Sequence, residues 1–237
     1  MELRIESITA RRGGRTILAG LTASVPGGRA LIVTGPNGAG KSTLLRMIAG
    51  FLPPVSGRVV LHGDEGPLGG SALQPRLAYA GHLDAVKPAL GVAQNLMLWA
   101  GLSGTGSAEV DRALAAVSLE TMASRPAGEC SAGQRRRLGL ARLLVSKRPV
   151  WMMDEPTASL DRASAEAVSA LVETHCEGGG IAVIATHLDM GLRDPLSLEI
   201  APFDPDRPAA PGGDGMSPRP GAEDPFLAGH DDAGAFR

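Results

Sequence analysis

Cysteine, aromatic side chains, net charge and long apolar runs are all scarce in this sequence. The two cysteines, Cys130 and Cys176, have no metal-ligand spacing, which argues against a thiolate metal site and fits a reducing compartment. Aromatics are only 3% of the chain, yet apolar content of 43% and charged content of 20% are globular values. No apolar run approaches the ~18 residues of a membrane span, and the opening Met1-Glu2-Leu3-Arg4-Ile5-Glu6 does not read as a signal sequence. The expectation is a chain that is soluble or held at a membrane by a partner. A net charge of −2 supplies no basic field for nucleic acid. Glycine (32) and proline (18) are abundant by contrast, and they are concentrated.

At 237 residues one large α/β domain is favoured over two small ones. Leu3, Ile5 and Ile8, then Ile17, Leu18, Leu21 and Val25, read as half-buried strands around the hairpin-like turn Arg12-Gly13-Gly14-Arg15. Ala30-Leu31-Ile32-Val33 reads as a buried strand, Gly57–Gly63 as another and Leu77–Ala80 as a third, with residues 64–75 a glycine- and proline-rich loop. From about Val92 to Leu144 the spacing turns helical, in three segments of which the third begins after Gly133. Strands resume with Val150–Met153 and Ile181–Ala185, separated by a helix over 163–175 and the turn Gly178-Gly179-Gly180; Leu196, Leu198 and Ile200 offer a last strand. Residues 202–237 hold seven prolines and six glycines, with seven acids against three bases. Few branched apolar residues remain there, so this stretch is expected to be a disordered tail that cannot repay its ordering entropy.

The chemistry starts at Gly35-Pro36-Asn37-Gly38-Ala39-Gly40-Lys41-Ser42-Thr43, which follows a strand and precedes the helical run Leu44–Ala49. That is the context the pattern G-x-x-x-x-G-K-[ST] needs. Glycines let successive N–H groups turn inward at phosphate oxygens, and the helix adds its unpaired amides and dipole. Lys41 then reaches the β- and γ-phosphates of ATP, and the Ser42 hydroxyl sits on Mg²⁺. Val150-Trp151-Met152-Met153-Asp154-Glu155 is an apolar strand ending in two acids. Asp154 is assigned to Mg²⁺ or its water shell, and Glu155 is the candidate general base that polarises the attacking water. Ser131, Gly133 and Gln134, in the run Cys130-Ser131-Ala132-Gly133-Gln134, form a second candidate anion site at a helix start. Arg135-Arg136-Arg137 invites a nucleic-acid reading, but three charges at a helix start cannot all face one groove.

In this order the segments resemble the ATP-binding cassette superfamily, whose signature reads L-S-G-G-Q where this chain has Cys130–Gln134. The resemblance covers residues 2 to about 201 and implies a P-loop cassette. Its parts are a RecA-like core, an N-terminal antiparallel β-layer and an inserted helical subdomain at about 92–144. It also implies a head-to-tail pair of copies, with Ser131, Gly133 and Gln134 of one facing the γ-phosphate bound by the other. Ala158-Ser159-Leu160-Asp161 resembles the loop that touches the opposite cassette, and His187 stands where the family has its switch histidine, on the γ-phosphate or the attacking water. Cys130 replaces a leucine at a packing position, and Ala132 replaces a glycine beside the phosphate. Where the family usually has glutamine, linking the metal or water to the membrane partner, the chain has His82; where it stacks an aromatic ring on adenine, the chain has Arg12.

A narrower likeness runs through Tyr79-Ala80-Gly81-His82-Leu83, Lys87-Pro88-Ala89-Leu90 and Gln94-Asn95-Leu96. It is similar to the haem-exporter ATP-binding subunits of cytochrome c maturation, in which histidine commonly replaces that glutamine. Gly91 and Gln94 depart from the threonine and glutamate usual there. This resemblance implies a peripheral ATPase on the cytoplasmic side of a bacterial inner membrane, working with integral membrane transporter subunits and no nucleic acid. Haem enters through the resemblance alone, because no residue here is a credible haem ligand. A cassette for an unrelated substrate, and a soluble cassette of translation or repair, remain the alternatives at this point. Relatives of the second kind carry paired cassettes in one chain or a long coiled coil between motifs, and this sequence shows neither.

Overall fold

The computed structural model describes residues 1–81 and 85–203. The expected tail from 204 onward, and His82 with its two successors, lie outside the described residues.

Two sheets organise the chain. The first is antiparallel, in the order β2-β1-β4-β5, built from β1 (Glu2–Arg12), β2 (Arg15–Pro26), β4 (Ser56–Gly63) and β5 (Gly66–Gly69). Arg12 pairs with Arg15 across Gly13-Gly14, so the expected hairpin is present with a two-residue turn. The second sheet is parallel, in the order β6-β7-β8-β3-β9, with β3 (Ala30–Thr34), β6 (Leu77–Ala80), β7 (Val150–Asp154), β8 (Ile181–Ala185) and β9 (Leu196–Glu199).

Strands β3, β7 and β8 read as unbroken apolar runs because both of their faces are covered. Leu31, Val33, Met152 and Val183 face one way, into a core shared with the antiparallel sheet and with Leu44, Leu45 and Ile48 of α1 (Lys41–Ile48). Ile32, Trp151, Met153 and Ile184 alternate to the other face. There they meet Val168 and Val172 of α5 (Arg162–Glu177) and Leu140 and Leu143 of α4 (Ala132–Ser146).

The helical block holds a third core, in which Val92, Leu96 and Ala100 of α2 (Val92–Ser103) meet Val110 and Leu114 of α3 (Ser107–Ala116). Leu138, Ala141 and Val145 of α4 complete it, and Cys130 is buried there as a packing residue. Helix α4 is therefore a shared wall, with one stripe in the helical block and another on the parallel sheet.

Two expectations need correction. Residues 64–75 are not a plain loop: β5 pairs with β4, and single 3-10 turns occupy Gly70–Ala72 and Gln74–Arg76. Backbone pairing to an existing edge made a strand from Gly66-Pro67-Leu68-Gly69, whose composition alone argues against one. The third helix does not begin after Gly133 but at Ala132, because Ser131 is its N-cap.

Candidate active site

The carboxyl ends of β3, β7 and β8 lie side by side in the parallel sheet, and the phosphate loop, Asp154, Glu155, Thr186 and His187 lie at or just beyond them, as open α/β sheets dictate. Beyond β3, residues 35–40 curl over the start of α1. Gly35 has φ +135, and a Cβ there would lie 2.1 Å from the Ile200 carbonyl, so the loop can enter beside β9 only as glycine. The Lys41 ammonium folds back on this loop, donating to the carbonyls of Gly35 at 2.7 Å and Pro36 at 3.2 Å. Lys41 is 8% exposed.

Ser42, in the first turn of α1, donates from Oγ to Asp154 Oδ1 at 3.0 Å. A hydroxyl and a carboxylate oxygen held together at a phosphate loop are hard oxygen donors, the set that Mg²⁺ prefers, so the residues present fit that ion. Glu155 turns away from the strand direction with φ +50, its N–H donating to Ala185 at 2.8 Å. Its carboxylate is held at both oxygens: Thr186 Oγ1 donates to Oε2 at 3.1 Å, and His187 Nδ1 lies 3.0 Å from Oε1. Thr186 is fully buried, whereas the His187 ring is 61% exposed.

A cleft of about 260 Å³ opens over these groups, with Asn37, Gly38, Gly40, Lys41, Ser42, Thr43, Asp154 and Glu155 in its wall and Arg12 and Ile17 from the hairpin alongside. Arg12, at the position where the resemblance implies an adenine-stacking residue, lines this cleft. The Ser131 turn is not part of that wall among the described residues. It is an exposed helix start closed by a capping box, in which Ser131 Oγ accepts from the Gln134 N–H at 3.2 Å and Gln134 Oε1 accepts from the Ser131 N–H at 2.8 Å. A Cβ on Gly133 would touch only Leu160, at 3.8 Å.

His82 lies outside the described residues, but Gly81 before it directly follows β6, whose last residue Ala80 pairs with Met153 of β7. Asp161 caps α5, accepting from the Ser164 N–H at 2.8 Å, and that backbone bond holds its carboxyl below the usual range. Sequence reasoning missed two residues. Thr186 gave a signal, a hydroxyl between a buried strand and a histidine, whereas nothing in the run Arg135-Arg136-Arg137 singled out Arg136 from its neighbours. Arg136 is in fact buried against the ends of β6 and β7, while Arg135 bonds the Cys130 carbonyl and Arg137 the Val117 carbonyl at 2.8 Å.

Fold and cleft together define the class: a P-loop ATPase of the cassette type. A family profile described as ABC transporter matches residues 18–158. The chain is 47% identical over 203 residues to the cytochrome c biogenesis ATP-binding export protein CcmA of Roseobacter denitrificans, covering 86% of this chain and 92% of that protein. To CcmA of Cereibacter sphaeroides it is 43% identical over 226 residues, covering 95% of this chain and 98% of the relative. In fold it is similar to an ATP-binding cassette of an ABC transporter crystallised in its ADP conformation. The TM-score is 0.73 at 24% identity, over 86% of this chain and 90% of that one. The chain belongs to the CcmA family of ABC transporter ATP-binding proteins.

Proposed function

We propose that this chain is one of two identical ATPase subunits that clamp ATP between residues 35–43 of one copy and residues 131–134 of the other. Clamping moves integral membrane subunits that deliver haem for cytochrome c maturation. The cassette would span residues 1–201, with its helical part at about 92–144 packed toward the membrane subunits on the cytoplasmic side of a bacterial inner membrane. Among the described residues no helix is long and apolar enough to cross a membrane, so those subunits would supply the path.

The observation that carries the reading is the pair of contacts at the end of β7, Ser42 Oγ to Asp154 at 3.0 Å and Thr186 Oγ1 to Glu155 at 3.1 Å. One carboxylate is turned to the phosphate loop and its neighbour is turned to the switch histidine. Mg²⁺, when bound, supplies charge neutralisation at the β- and γ-phosphate oxygens, and Ser42 and Asp154 are the residues that would hold it. Lys41 exchanges its loop carbonyls for phosphate oxygens. Glu155, fixed by Thr186 and His187, orients the attacking water and draws off its proton. His82 would report the nucleotide to the membrane subunits, as the resemblance implies for this position. Exposure of the Ser131 turn, away from its own cleft, supports a partner copy supplying that turn. Binding then closes the pair, and hydrolysis reopens it.

The test is genetic and spectroscopic. A host lacking this subunit should lose covalently haem-bearing c-type cytochromes, and the parental gene should restore them while Lys41→Ala does not. Normal c-type cytochromes in the deletion strain would overturn the haem assignment and leave the ATPase assignment in place.

A further inference from the structure

Four backbone carbonyls converge on one buried guanidinium. Arg136 of α4 is 7% exposed. It donates from Nη1 to Gly81 at 2.8 Å, from Nη2 to Asp154 at 2.8 Å and Glu155 at 2.6 Å, and from Nε to Pro156 at 3.4 Å. Gly81 follows β6, and the other three carbonyls are consecutive at the end of β7. In an extended strand successive carbonyls point to opposite sides. These three can share one group because the chain turns at Glu155, whose φ of +50 is a conformation that a residue with a Cβ adopts only when its surroundings impose it. The guanidinium is part of that surrounding, since its planar fork of five donors serves all four carbonyls at once, where the three donors of an ammonium would reach only some of them. On its far side the same residue is the carboxylate gripped by Thr186 and His187.

We propose that Arg136 is a positioning residue for hydrolysis. It holds the backbone of Asp154–Pro156 in the turn that aims the Glu155 carboxylate, and so sets the rate of the chemical step without touching the nucleotide. The inference rests on the reading of Glu155 as general base.

Steady-state and single-turnover ATP hydrolysis by Arg136→Gln, Glu155→Gln and the double variant would test it, with Tm recorded for each. Arg136→Gln is expected to lower kcat about tenfold, a fraction of what a general base supplies, with KM for ATP within about twofold of the parent. In the Glu155→Gln background the same substitution should change the single-turnover rate by less than about twofold, because the group being aimed is already gone. Arg136→Lys should recover part of the loss. A Glu155→Gln protein hydrolysing at the parental rate would remove the base and this inference with it. A slow Glu155→Gln beside a parental kcat in Arg136→Gln would overturn the positioning role alone, as would an equal loss in both backgrounds. Should Arg136→Gln fail to fold, Arg136→Lys carries the comparison: a kcat between the parent and Glu155→Gln at unchanged KM supports the role, and a parental kcat overturns it.

Discussion

The Ser42 hydroxyl donates to Asp154 Oδ1 at 3.0 Å, joining the first turn of α1 to the end of β7 across 112 positions of sequence. The two groups satisfy each other's hydrogen-bonding capacity. Asp154 is 4% exposed, so its carboxylate is held by the packing around the end of β7.

Asp154→Asn keeps the shape and removes the charge. Loss of a ligand or its orienting partner typically costs 10–100-fold in metal affinity or activity, so Mg²⁺-dependent ATPase activity should fall by about two orders of magnitude. Nucleotide binding measured in EDTA should stay within about threefold of the parent. An unchanged Mg²⁺ dependence in the variant would remove Asp154 from the metal site.

Glu155→Gln keeps the side chain's size and one acceptor oxygen, replaces the other oxygen with an NH2 that only donates, and cannot take a proton. Hydrolysis should drop by about 10²–10⁴. With hydrolysis blocked, ATP should hold two copies together, read as a doubling of mass by light scattering. Gly133→Asp in that background should return the protein to a monomer, because a carboxylate would then face the γ-phosphate from the partner's helix start. A dimer that forms equally well with Gly133→Asp would contradict the head-to-tail clamp.

Local patterns made the fold and much of the site legible. The phosphate loop, the strand ending in Asp154-Glu155 and the hairpin at Gly13-Gly14 each carry their own turn chemistry. What stayed hidden depends on contacts distant in sequence. Strand order β6-β7-β8-β3-β9 is a property of the assembled sheet that no single segment carries. Strand β5 exists only because β4 offers it an edge. Arg136 differs from Arg135 and Arg137 by about one step of 100° around the helix, and only that direction decides which of them is buried at the site.

Gly57 shows how the first sheet depends on one missing side chain. Its φ is +84, and a Cβ there would lie 2.4 Å from the carbonyls of both Glu6 and Ser7, where β1 bulges out of register with β4. Both walls are backbone and neither can yield. Gly57→Ala should destabilise the protein by on the order of 1–3 kcal/mol, lowering Tm by roughly 3–10 °C. A parental Tm would mean that the bulge relaxes freely. The ATP cleft is built elsewhere, so KM at low temperature should be unchanged.

His175 links stability to pH. Its ring stacks on Trp151 with centroids 3.8 Å apart and planes 7° from parallel, and Nε2 lies 3.2 Å from the Ile181 carbonyl. Burial holds the imidazole below its ordinary pKa of 6.5, while the backbone carbonyls of Ile181 and Pro149 act in the opposite sense and do not cancel it. The unfolded chain, with the ordinary value, therefore binds a proton first as the pH falls. Between 6.5 and the lower folded pKa the unfolded state holds more protons, so stability declines as pH drops through that window and levels off below it. Above about pH 7 the contribution is complete. His175→Phe keeps a flat ring against Trp151 and cannot titrate. Its Tm should be flatter than the parent's between pH 7.5 and 5.5, although the lost Ile181 contact lowers the whole curve. Parallel Tm–pH curves for the two proteins would show that the acid sensitivity arises at another group.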